Sequence, residues 1–512
     1  MPSTPPANDP AVLSAFLEAA RLRIGAGRVA AGDAIGAEWT SATLPWTARP
    51  LAVLSPETAD AVPALLALAA SHGVAVHPVS RGRSWGLGSR LPPRDAAILD
   101  LSGLDRILDV DMARGTARIE PGVTFEALQA RLKAEGLAFH LPSFGGPRDA
   151  SVLANALERG EGAGPLGDRF ASLWDLDVAL ATGERFRTGH ARFAQEPLSA
   201  RHARPAGPLV EGLFSQSGLG VVLSGRIALQ PTLAHANMIL ADIGAKDGLD
   251  AALATLTRLI HAGLVAPHAA AIWNGAKRVS SLVGRHHGDA GALATKPDDW
   301  ALSVVITAAH PDLLQLSVRI VTSELAKVCR DIQVQSDRDA DGRRLETPIT
   351  GFSDGNNVMS AYWGKAERPE VPGNPDLDGC GFLWVCPALP LEGQAVRALA
   401  ALLETVAAGT PLYPALGLQA VTARALHGYV SLAWDRSTPG ADAAAMTAHD
   451  ALIRGCHALG FAPYRLGLAD ADALDEIATA ADDWPAVLTR LRAALDPSGT
   501  LSPGRLRGLR PL

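Results

Sequence analysis

Cysteine and tyrosine are scarce in this chain of 512 residues, which has only four of each. The cysteines are Cys329, Cys380, Cys386 and Cys456. They are too few and too late in the chain for a disulfide framework, and the absence of a C-x-x-C pair disfavours a zinc ribbon. The tyrosines are Tyr362, Tyr413, Tyr429 and Tyr464. Because aromatic residues make up only 5% of the chain, each tyrosine in a polar context is a candidate functional residue.

The sequence also has no excess of positive charge and no long apolar run. Lysine and arginine number 46 against 53 acidic residues, for a net charge of -7, which disfavours a nucleic-acid-binding protein. No stretch reaches the roughly 18 apolar residues of a membrane-spanning helix. The N-terminus lacks the basic and apolar segments of a secretory signal. The sequence thus predicts a cytoplasmic protein that acts on a small molecule, with neither nucleic acid nor membrane as partner.

A hydrophobic content of 48% over this length predicts two or three packed domains. Short strands and helices alternate in the first part, with helices expected at 13–32, 58–71 and 124–135. After Pro231 the pattern changes to long helices at 247–263, 310–328, 391–408 and 440–459, with strands at 300–306, 381–386 and 429–434 between them. The pattern predicts an α+β fold with a domain boundary near residue 231.

Three glycine-rich polar segments lie beside predicted strands in the first part. They are Ser80-Arg-Gly-Arg-Ser-Trp-Gly-Leu-Gly88, the region 142–168, and Glu211-Gly-Leu-Phe-Ser-Gln-Ser-Gly-Leu-Gly220. None matches the phosphate-binding loop of ATPases or the G-x-G-x-x-G fingerprint of nicotinamide enzymes. Glycine lets the backbone approach a ligand closely, and successive N–H groups bind anions. Together these segments predict a cradle for a large phosphate-bearing cofactor, although each alone is equally typical of a surface turn.

The order of these segments, with Glu120-Pro-Gly-Val-Thr124 between them, resembles the vanillyl-alcohol oxidase / p-cresol methylhydroxylase family. Gly381-Phe-Leu-Trp-Val-Cys-Pro-Ala-Leu-Pro390 and Leu495-Asp-Pro-Ser-Gly-Thr-Leu-Ser-Pro-Gly504 extend the resemblance, which runs from about residue 46 to 510. It implies an N-terminal arm and helix (1–45), an FAD-binding domain of two α+β subdomains (46–231), and a substrate-binding cap with an antiparallel sheet flanked by helices (232–462). Residues 463–512 would return to the FAD domain. A homodimer is compatible with this organisation, and the oligomeric state stays open.

The resemblance also implies which residues bind FAD. They are Arg81, Gly82, Arg83, Ser84, Trp85, Leu87, Pro142, Gly145, Gly146, Ser151, Asn155, Gly160, Gly167, Asp168, Gly220, Val221 and Arg505. The position that carries the covalent flavin link in well-known members falls near Phe382. Because phenylalanine cannot form that bond, the FAD is expected to be non-covalent at this site, with attachment through another residue left open.

For the substrate, the resemblance points to Pro463-Tyr464-Arg465, where phenol-oxidising members bind a phenolate. A phenol has a pKa near ~10, and Arg465 with a hydroxyl donor from Tyr464 would favour the ionised form. His427 matches a polar cavity position and can act as a base. Two positions depart from the family, because Leu87 replaces its second phenolate-binding tyrosine and Ser143 replaces an acidic residue. These departures predict a substrate other than simple cresols.

The resulting prediction is an FAD-dependent oxidoreductase that takes a hydride from the carbon para to a phenol. The quinone methide so formed would be hydrated, desaturated or decarboxylated. The alternatives are a flavin oxidase of a non-phenolic alcohol or 2-hydroxy acid, and a non-catalytic protein of the same fold. His286-His287 lacks a carboxylate or cysteine at ligand spacing, so no metal site is predicted.

Overall fold

A four-stranded sheet opens the fold and is parallel except at one edge. Its strands lie in the order Val29–Ala31, Pro50–Leu54, Ala96–Asp100 and Val76–Val79. The structure, a computed structural model, describes residues 9–142, 145–193, 196–282, 298–347, 350–352, 356–367, 369–371, 373–470 and 483–505. Helix Ala61–His72 makes the crossover that parallel pairing requires. Strand Ala96–Asp100 is buried along its whole length, because other elements cover both of its faces.

Glycines in left-handed or related conformations end the first two helices. Helix Ala61–His72 closes at Gly73 (φ 65°), whose N–H bonds back to the carbonyls of Ala69 and Ala70, so the predicted end is confirmed. The predicted helix 13–32 is wrong at its C-terminal part. The observed helix, Pro10–Ile24, stops at Gly25 (φ 92°). The chain then turns into strand Val29–Ala31, which pairs with Pro50–Leu54.

A second, antiparallel sheet follows. Its strands lie in the order Ile107–Asp111, Thr116–Ile119, Val221–Ala228, Leu173–Ala179 and Arg185–Arg187. The predicted hairpin around 182–184 is confirmed, since Asp177 faces Arg187 across it. Helices Phe125–Ala134 and Val152–Leu157 pack on this sheet through Leu128 and Leu153. The hydroxyl of Thr124 accepts a hydrogen bond from the N–H of Ala127, which confirms it as an N-cap.

The third sheet has nine strands, all in antiparallel pairs. Eight lie in the order Asp331–Ser336, His235–Gly244, Trp300–Ala308, Ala270–Asn274, Tyr413–Ala420, Ala425–Asp435, Pro387–Pro390 and Ala462–Pro463. The ninth, Cys380–Val385, pairs with Ala425–Asp435 beside Pro387–Pro390. The four predicted long helices are confirmed as Leu249–His261, Pro311–Leu325, Gly393–Ala407 and Ala441–Ala458. The fold class is α+β, as predicted; the division of the chain at 46, 231 and 462 stays a prediction.

The two faces of the nine-stranded sheet have opposite character. Along strand Ala425–Asp435, Leu426, Val430 and Leu432 join the core formed with the four long helices. Successive side chains of a strand point to opposite faces, so His427 and Tyr429 project from the other face. That face is turned toward the glycine-rich loops of the first part of the chain. A cavity lies between them.

The C-terminal part of the chain returns to the first sheet. Helix Trp484–Leu495 leads into a turn whose backbone brackets Val76. The N–H of Val76 donates to the carbonyl of Thr500 at 2.8 Å, and the N–H of Ser502 donates to the carbonyl of Val76 at 2.8 Å. Short strands Phe139–His140 and Gln230–Pro231 pair with each other at the edge of the first part. Within the described ranges, every helix is too short or too polar to cross a bilayer.

Candidate active site

A cavity of about 430 Å³ lies between the polar face of the nine-stranded sheet and the glycine-rich loops. Most of the residues predicted from the sequence line it. These are Arg81, Gly82, Arg83, Ser84, Trp85, Leu87, Gly145, Gly146, Ser151, Asn155, Tyr464, Arg465 and Arg505. Elements far apart in sequence therefore converge on one space.

The loop 80–89 is bent so that it touches the nine-stranded sheet. Gly86 (φ 80°) donates its N–H to the hydroxyl of Thr43 at 2.9 Å, and its carbonyl accepts from the N–H of Trp384 at 3.1 Å. A Cβ at Gly86 would lie 2.6 Å from Trp384 and 3.0 Å from Phe382. Only glycine fits both this backbone conformation and this close approach.

Side-chain contacts fix the loop at both ends. Arg83 donates through Nε to Asp149 at 2.8 Å, which joins it to the neighbouring 145–151 loop. The indole N–H of Trp85 lies 3.1 Å from Asp376, which also accepts from Ser89 at 2.9 Å. Burial raises the pKa of Asp376 to about 6, because the charged form is poorly solvated there.

The second predicted loop forms another wall. Ser151 caps helix Val152–Leu157 by accepting from the N–H of Ala154 at 3.0 Å. Asn155, one turn later, faces the cavity and its Oδ1 is buried without a hydrogen-bond partner among the described residues. Arg505 pairs with Glu158 at the same wall. A buried acceptor without a partner is costly unless a ligand or water satisfies it.

Several predicted cofactor residues lie outside the described wall of the cavity. Gly220 packs between Val178 and Phe214, and Val221 is 1% exposed in the core beneath the first sheet. Pro142 is buried and its carbonyl accepts from Arg169. These residues shape the fold around the cavity rather than its surface. Ser143 and the pair His286-His287 lie outside the described residues.

Gly160, Gly167 and Asp168 also lie behind the wall, where they form one tight loop. A Cβ at Gly160 would lie 2.3 Å from the Asn155 amide, and one at Gly167 would lie 2.3 Å from the carbonyl of Gly162. The backbone of Asp168 pairs with that of Glu161, and its carboxylate accepts from the N–H of Ala171 at 2.9 Å. The loop thereby presents Glu161 to the cavity.

Glu161 connects this loop to the nine-stranded sheet. One of its carboxylate oxygens pairs with Nδ1 of His427 and the other accepts a hydrogen bond from the hydroxyl of Tyr429. His427 does not line the cavity; its ring stacks on Tyr464 at 3.8 Å with an interplanar angle of 7°. Glu161 and Tyr429 occupy the wall instead.

Tyr464 and Arg465 lie beside Tyr429. The ring centroids of Tyr429 and Tyr464 are 6.4 Å apart in an edge-on arrangement. Burial, with Glu161 nearby, raises the pKa of both tyrosines well above its usual range, so both remain hydroxyl donors. Nε of Arg465 is buried without a hydrogen-bond partner among the described residues. The cluster offers two hydroxyls and a guanidinium to a ligand.

Backbone contacts hold Tyr464 and Arg465 in place. The N–H of Tyr464 donates to the carbonyl of Cys386 at 3.0 Å, and that of Leu468 donates to the carbonyl of Leu87 at 3.0 Å. Asp470 accepts from the N–H of Gly467 and lies 2.6 Å from Nε2 of the fully buried His449. Burial alone lowers the pKa of His449, but hydrogen bonds to Asp450 and Asp470 raise it to about 9. A cationic His449 in helix Ala441–Ala458 therefore holds the segment 464–470 in place through Asp470.

Sequence reasoning missed Glu161 and Tyr429. Glu161 lies within the glycine-rich region 142–168 and has a glycine on each side, which is a signal for a side chain held out by a tight loop. Tyr429 is two residues from His427, so strand alternation places both on one face. The scarcity of tyrosine makes Tyr429 a candidate, but no sequence motif assigns it a role.

Comparison with known proteins links this geometry to flavin enzymes. A family model described as FAD binding domain matches residues 50–189. The 1'-carboxy-chondrochloren decarboxylase of Chondromyces crocatus is 32% identical over 96% of this chain and 97% of that protein. The 4-cresol dehydrogenase [hydroxylating] flavoprotein subunit of Pseudomonas putida is 29% identical over 36% of this chain and 35% of that protein.

Solved structures confirm the fold. A structure of p-cresol methylhydroxylase with substrate bound superposes with a TM-score of 0.87 at 19% identity, covering 98% of both chains. The 4-ethylphenol oxidase from Gulosibacter chungangensis gives a TM-score of 0.84 at 19% identity with the same coverage. At this identity the likeness establishes the fold alone.

The residues present fit an FAD. The left-handed glycines Gly82, Gly86 and Gly88 bend the loop 80–89 into a cradle of backbone groups that a phosphate can approach. Asn155 offers an unpaired buried acceptor to a donor on the cofactor. Arg81 and Arg505 also line the cavity; Arg81, whose buried Nε has no hydrogen-bond partner among the described residues, would supply positive charge for a pyrophosphate, whereas the charge of Arg505 is paired with Glu158.

Substituting Gly86→Ala is expected to weaken FAD binding by about tenfold or more, because the added methyl group collides with Trp384 and displaces the loop. The measurement is titration of the apoprotein with FAD. Gly409→Ala is the matched control, since Gly409 also has positive φ (71°) but a Cβ there meets nothing within 4 Å. Equal loss of FAD affinity in both variants would show that backbone strain, and not the contact with Trp384, matters.

The raised pKa of His449 predicts a pH-dependent contribution to stability. Its folded pKa of about 9 exceeds the ordinary 6.5, so the contribution is complete below about pH 6.5 and is lost as the pH rises through about 9. His449→Gln, which keeps a donor for Asp470, should lower the melting temperature at about pH 6 by the equivalent of at most about 3 kcal/mol. The difference in melting temperature between His449→Gln and the parent protein should disappear near pH 9.5. The control is His261→Gln, at an exposed histidine, whose difference from the parent should be the same at both pH values. The same pH-independent behaviour in His449→Gln would contradict the raised pKa of His449.

Proposed function

Because the chain belongs to the vanillyl-alcohol oxidase / p-cresol methylhydroxylase family of FAD-dependent oxidoreductases, we propose that it oxidises a para-substituted phenol by hydride transfer to FAD. The outcome that we favour is oxidative decarboxylation. The observation that carries the proposal is the convergence of Tyr429, Tyr464 and Arg465 on one cavity. The name of the relative that matches almost the whole chain, a decarboxylase, supports the choice of outcome.

Binding of the phenol as phenolate is the first requirement. Arg465 is the cation for this role, since its guanidinium is permanently charged and its Nε has no partner in the described part of the chain. Tyr464 supplies a hydroxyl donor, and Tyr429 supplies a second one once it has taken the proton of the phenol; burial raises the pKa of both hydroxyls and so keeps them protonated. Tyr429 compensates for Leu87, which stands where the family has its second phenolate-binding tyrosine. The second tyrosine of the phenolate site therefore comes from strand Ala425–Asp435 and not from the loop 80–89.

The proton of the phenol needs an acceptor, and Glu161 is in position. The hydroxyl of Tyr429 donates to Glu161, so its oxygen can accept from the substrate while its own proton moves to the carboxylate. His427 pairs with the other oxygen of Glu161 and holds the ring of Tyr464 by stacking. We assign His427 a positioning role and Glu161 that of the base.

FAD, when bound, supplies the two-electron oxidant that accepts a hydride from the ring-attached carbon. Arg465 and the two tyrosine hydroxyls stabilise the negative charge on the phenol oxygen, from which electrons are released toward that carbon. Loss of the hydride leaves a quinone methide in the cavity. If the next carbon bears a carboxylate, its bond to that carbon breaks, the electron pair forms an alkene, and CO2 leaves. The phenolate is restored against Arg465.

The FAD is proposed to be held without a covalent bond at the usual position. Phe382 lies on the cavity wall there and has no nucleophilic atom. Acid precipitation of the purified protein should therefore release the flavin into the supernatant, where its visible absorbance is measured. A yellow pellet would show that another residue forms the bond.

The phenolate mechanism predicts that Arg465→Ala lowers the rate of flavin reduction by about 10²- to 10³-fold, the usual cost of removing one charge-stabilising donor. The probe is 3-(4-hydroxyphenyl)propanoate, mixed anaerobically with the FAD-loaded enzyme. Bleaching of the visible flavin band gives the rate. The expected products are 4-vinylphenol and CO2, identified by chromatography and gas analysis.

Two controls accompany this experiment. Arg319→Ala, an exposed position on helix Pro311–Leu325, should leave the rate unchanged. The methyl ether 3-(4-methoxyphenyl)propanoate should not reduce the flavin, because it cannot form a phenolate. Reduction of the flavin by the methyl ether at a comparable rate would overturn the phenolate mechanism. A hydroxylated product in place of 4-vinylphenol would leave phenol oxidation standing and overturn decarboxylation.

A further inference from the structure

A second polar group lines the cavity, and the phenol chemistry does not use it. It consists of the indole N–H of Trp273, the ammonium group of Lys277 and the hydroxyl of Ser281. All three donor atoms are buried and have no hydrogen-bond partner among the residues that the structure describes. Lys277 and Ser281 are four residues apart in the helical segment Gly275–Leu282, so they lie on one face of it.

Lys277 is the most unusual of the three. The residue is 1% exposed, and its Nζ lies 4.5 Å above the centre of the Trp384 ring. Burial lowers the pKa of Lys277 to about 7, since no carboxylate among its described neighbours offsets the loss of hydration. A buried lysine in this state costs stability, and fully buried lysines are almost always paired. The presence of an unpaired lysine on the cavity wall therefore points to a ligand that supplies an acceptor for its ammonium group.

The sheet makes room for this lysine. Gly417 has no side chain, and a Cβ there would lie 3.3 Å from Cγ of Lys277 and 3.2 Å from the ring of Trp273. Gly417 is also the direct cross-strand partner of Tyr429. Lys277 packs against Gly417 of strand Tyr413–Ala420, and Tyr429 lies opposite Gly417 on the neighbouring strand Ala425–Asp435. The donor group of Lys277 and the phenol-binding group around Tyr429 are therefore associated with the same pair of strands. A single elongated ligand in the cavity can reach both.

We propose that Lys277, with Ser281 and Trp273, binds the carboxylate of the substrate in the same cavity as the phenol-binding residues. This inference rests on the proposed function and specifies its substrate class as a 4-hydroxyphenyl compound with a carboxylate on its side chain. Three donors, one of them charged, match the two oxygens of a carboxylate. The aromatic ring of Trp384 cannot replace such an acceptor, although it does stabilise the cation.

The donors act on binding and orientation. The negative charge of the carboxylate disappears as CO2 forms, so a cation at this place stabilises the bound acid and not the breaking bond. We therefore expect Lys277 to govern affinity for the acid and to affect the rate of flavin reduction at saturating substrate much less.

The test compares an acid with its amide in the FAD-loaded protein. The probes are 3-(4-methoxyphenyl)propanoate and 3-(4-methoxyphenyl)propanamide, whose methyl ether prevents turnover, and calorimetry gives the dissociation constants. Lys277→Met keeps the length of the side chain and removes its charge. It should weaken binding of the acid by about 10- to 100-fold and leave binding of the amide unchanged. Lys246→Met, at a half-exposed lysine paired with Glu404, is the control and should change neither.

Equal weakening of acid and amide, or loss of FAD from the variant, would overturn the inference, because Lys277 would then serve the cofactor or the fold. Unchanged affinity for the acid would overturn it as well. If Lys277→Met does not fold, as judged by circular dichroism, Ser281→Ala replaces it, with an expected loss of about 3- to 10-fold for the acid alone.

Flavin reduction by 4-propylphenol, which lacks a carboxylate, separates this inference from the proposed function. Reduction at similar rates in the parent and in Lys277→Met, with acid selectivity unchanged, retains phenol oxidation and rejects the carboxylate site. Selective loss of acid binding, with no reduction by any phenol, rejects phenol oxidation and retains the anion site.

Discussion

The geometry of this active site depends on the contacts that the carboxylate of Glu161, a side chain that is 9% exposed, makes with two residues of the nine-stranded sheet. Glu161 sits on a tight glycine loop in the first part of the chain and accepts contacts from His427 and Tyr429 on the nine-stranded sheet. A carboxylate with so little access to water is costly unless it is paired, so separation of the loop from the sheet would either expose Glu161 or leave it without its partners. The stacked rings of His427 and Tyr464 extend this contact to the C-terminal return of the chain. Three distant parts of the sequence thereby share one fixed arrangement.

The cavity concentrates polar atoms that the protein itself does not satisfy. Oδ1 of Asn155, Nε of Arg465, Nζ of Lys277 and Oγ of Ser281 are all buried without hydrogen-bond partners in the described part of the chain, and all four residues line the same space. Unpaired buried polar groups reduce the stability of the fold, and proteins retain them where a ligand supplies the missing hydrogen bonds. Their presence in one cavity agrees with the proposed binding of a cofactor, a phenol and a carboxylate there.

Elements that carry strong local signals were predictable from the sequence. The predicted long helices of the second part agree with the observed ones within a few residues, and two of the three predicted ligand loops, in 80–88 and 142–168, contribute residues to the cavity, whereas 211–220 contributes none. The predictions were wrong where local signals compete with tertiary contacts. The first helix ends at Ile24 because Gly25 turns the chain toward a strand pairing that no local pattern reveals. Strand Asp331–Ser336 is mostly exposed at the edge of its sheet and strand Tyr413–Ala420 contains proline and glycine, so neither shows clear alternation.

The FAD-binding fold and the candidate pair Tyr464-Arg465 could be predicted from the sequence alone, because both are marked by short motifs that occur in a fixed order along the chain. Only the tertiary structure decided which other side chains meet that pair. Glu161, Tyr429 and Lys277 come from a loop, a strand and a helical turn separated by more than a hundred residues, and pairing between strands sets their distances. The tertiary structure also shows where the scarce tyrosines lie, because two of the four stand beside Arg465 in the cavity. Tyr464 is next to Arg465 in the sequence, so their proximity was predictable. Tyr429 is brought to them by the pairing register of strand Ala425–Asp435 against Tyr413–Ala420.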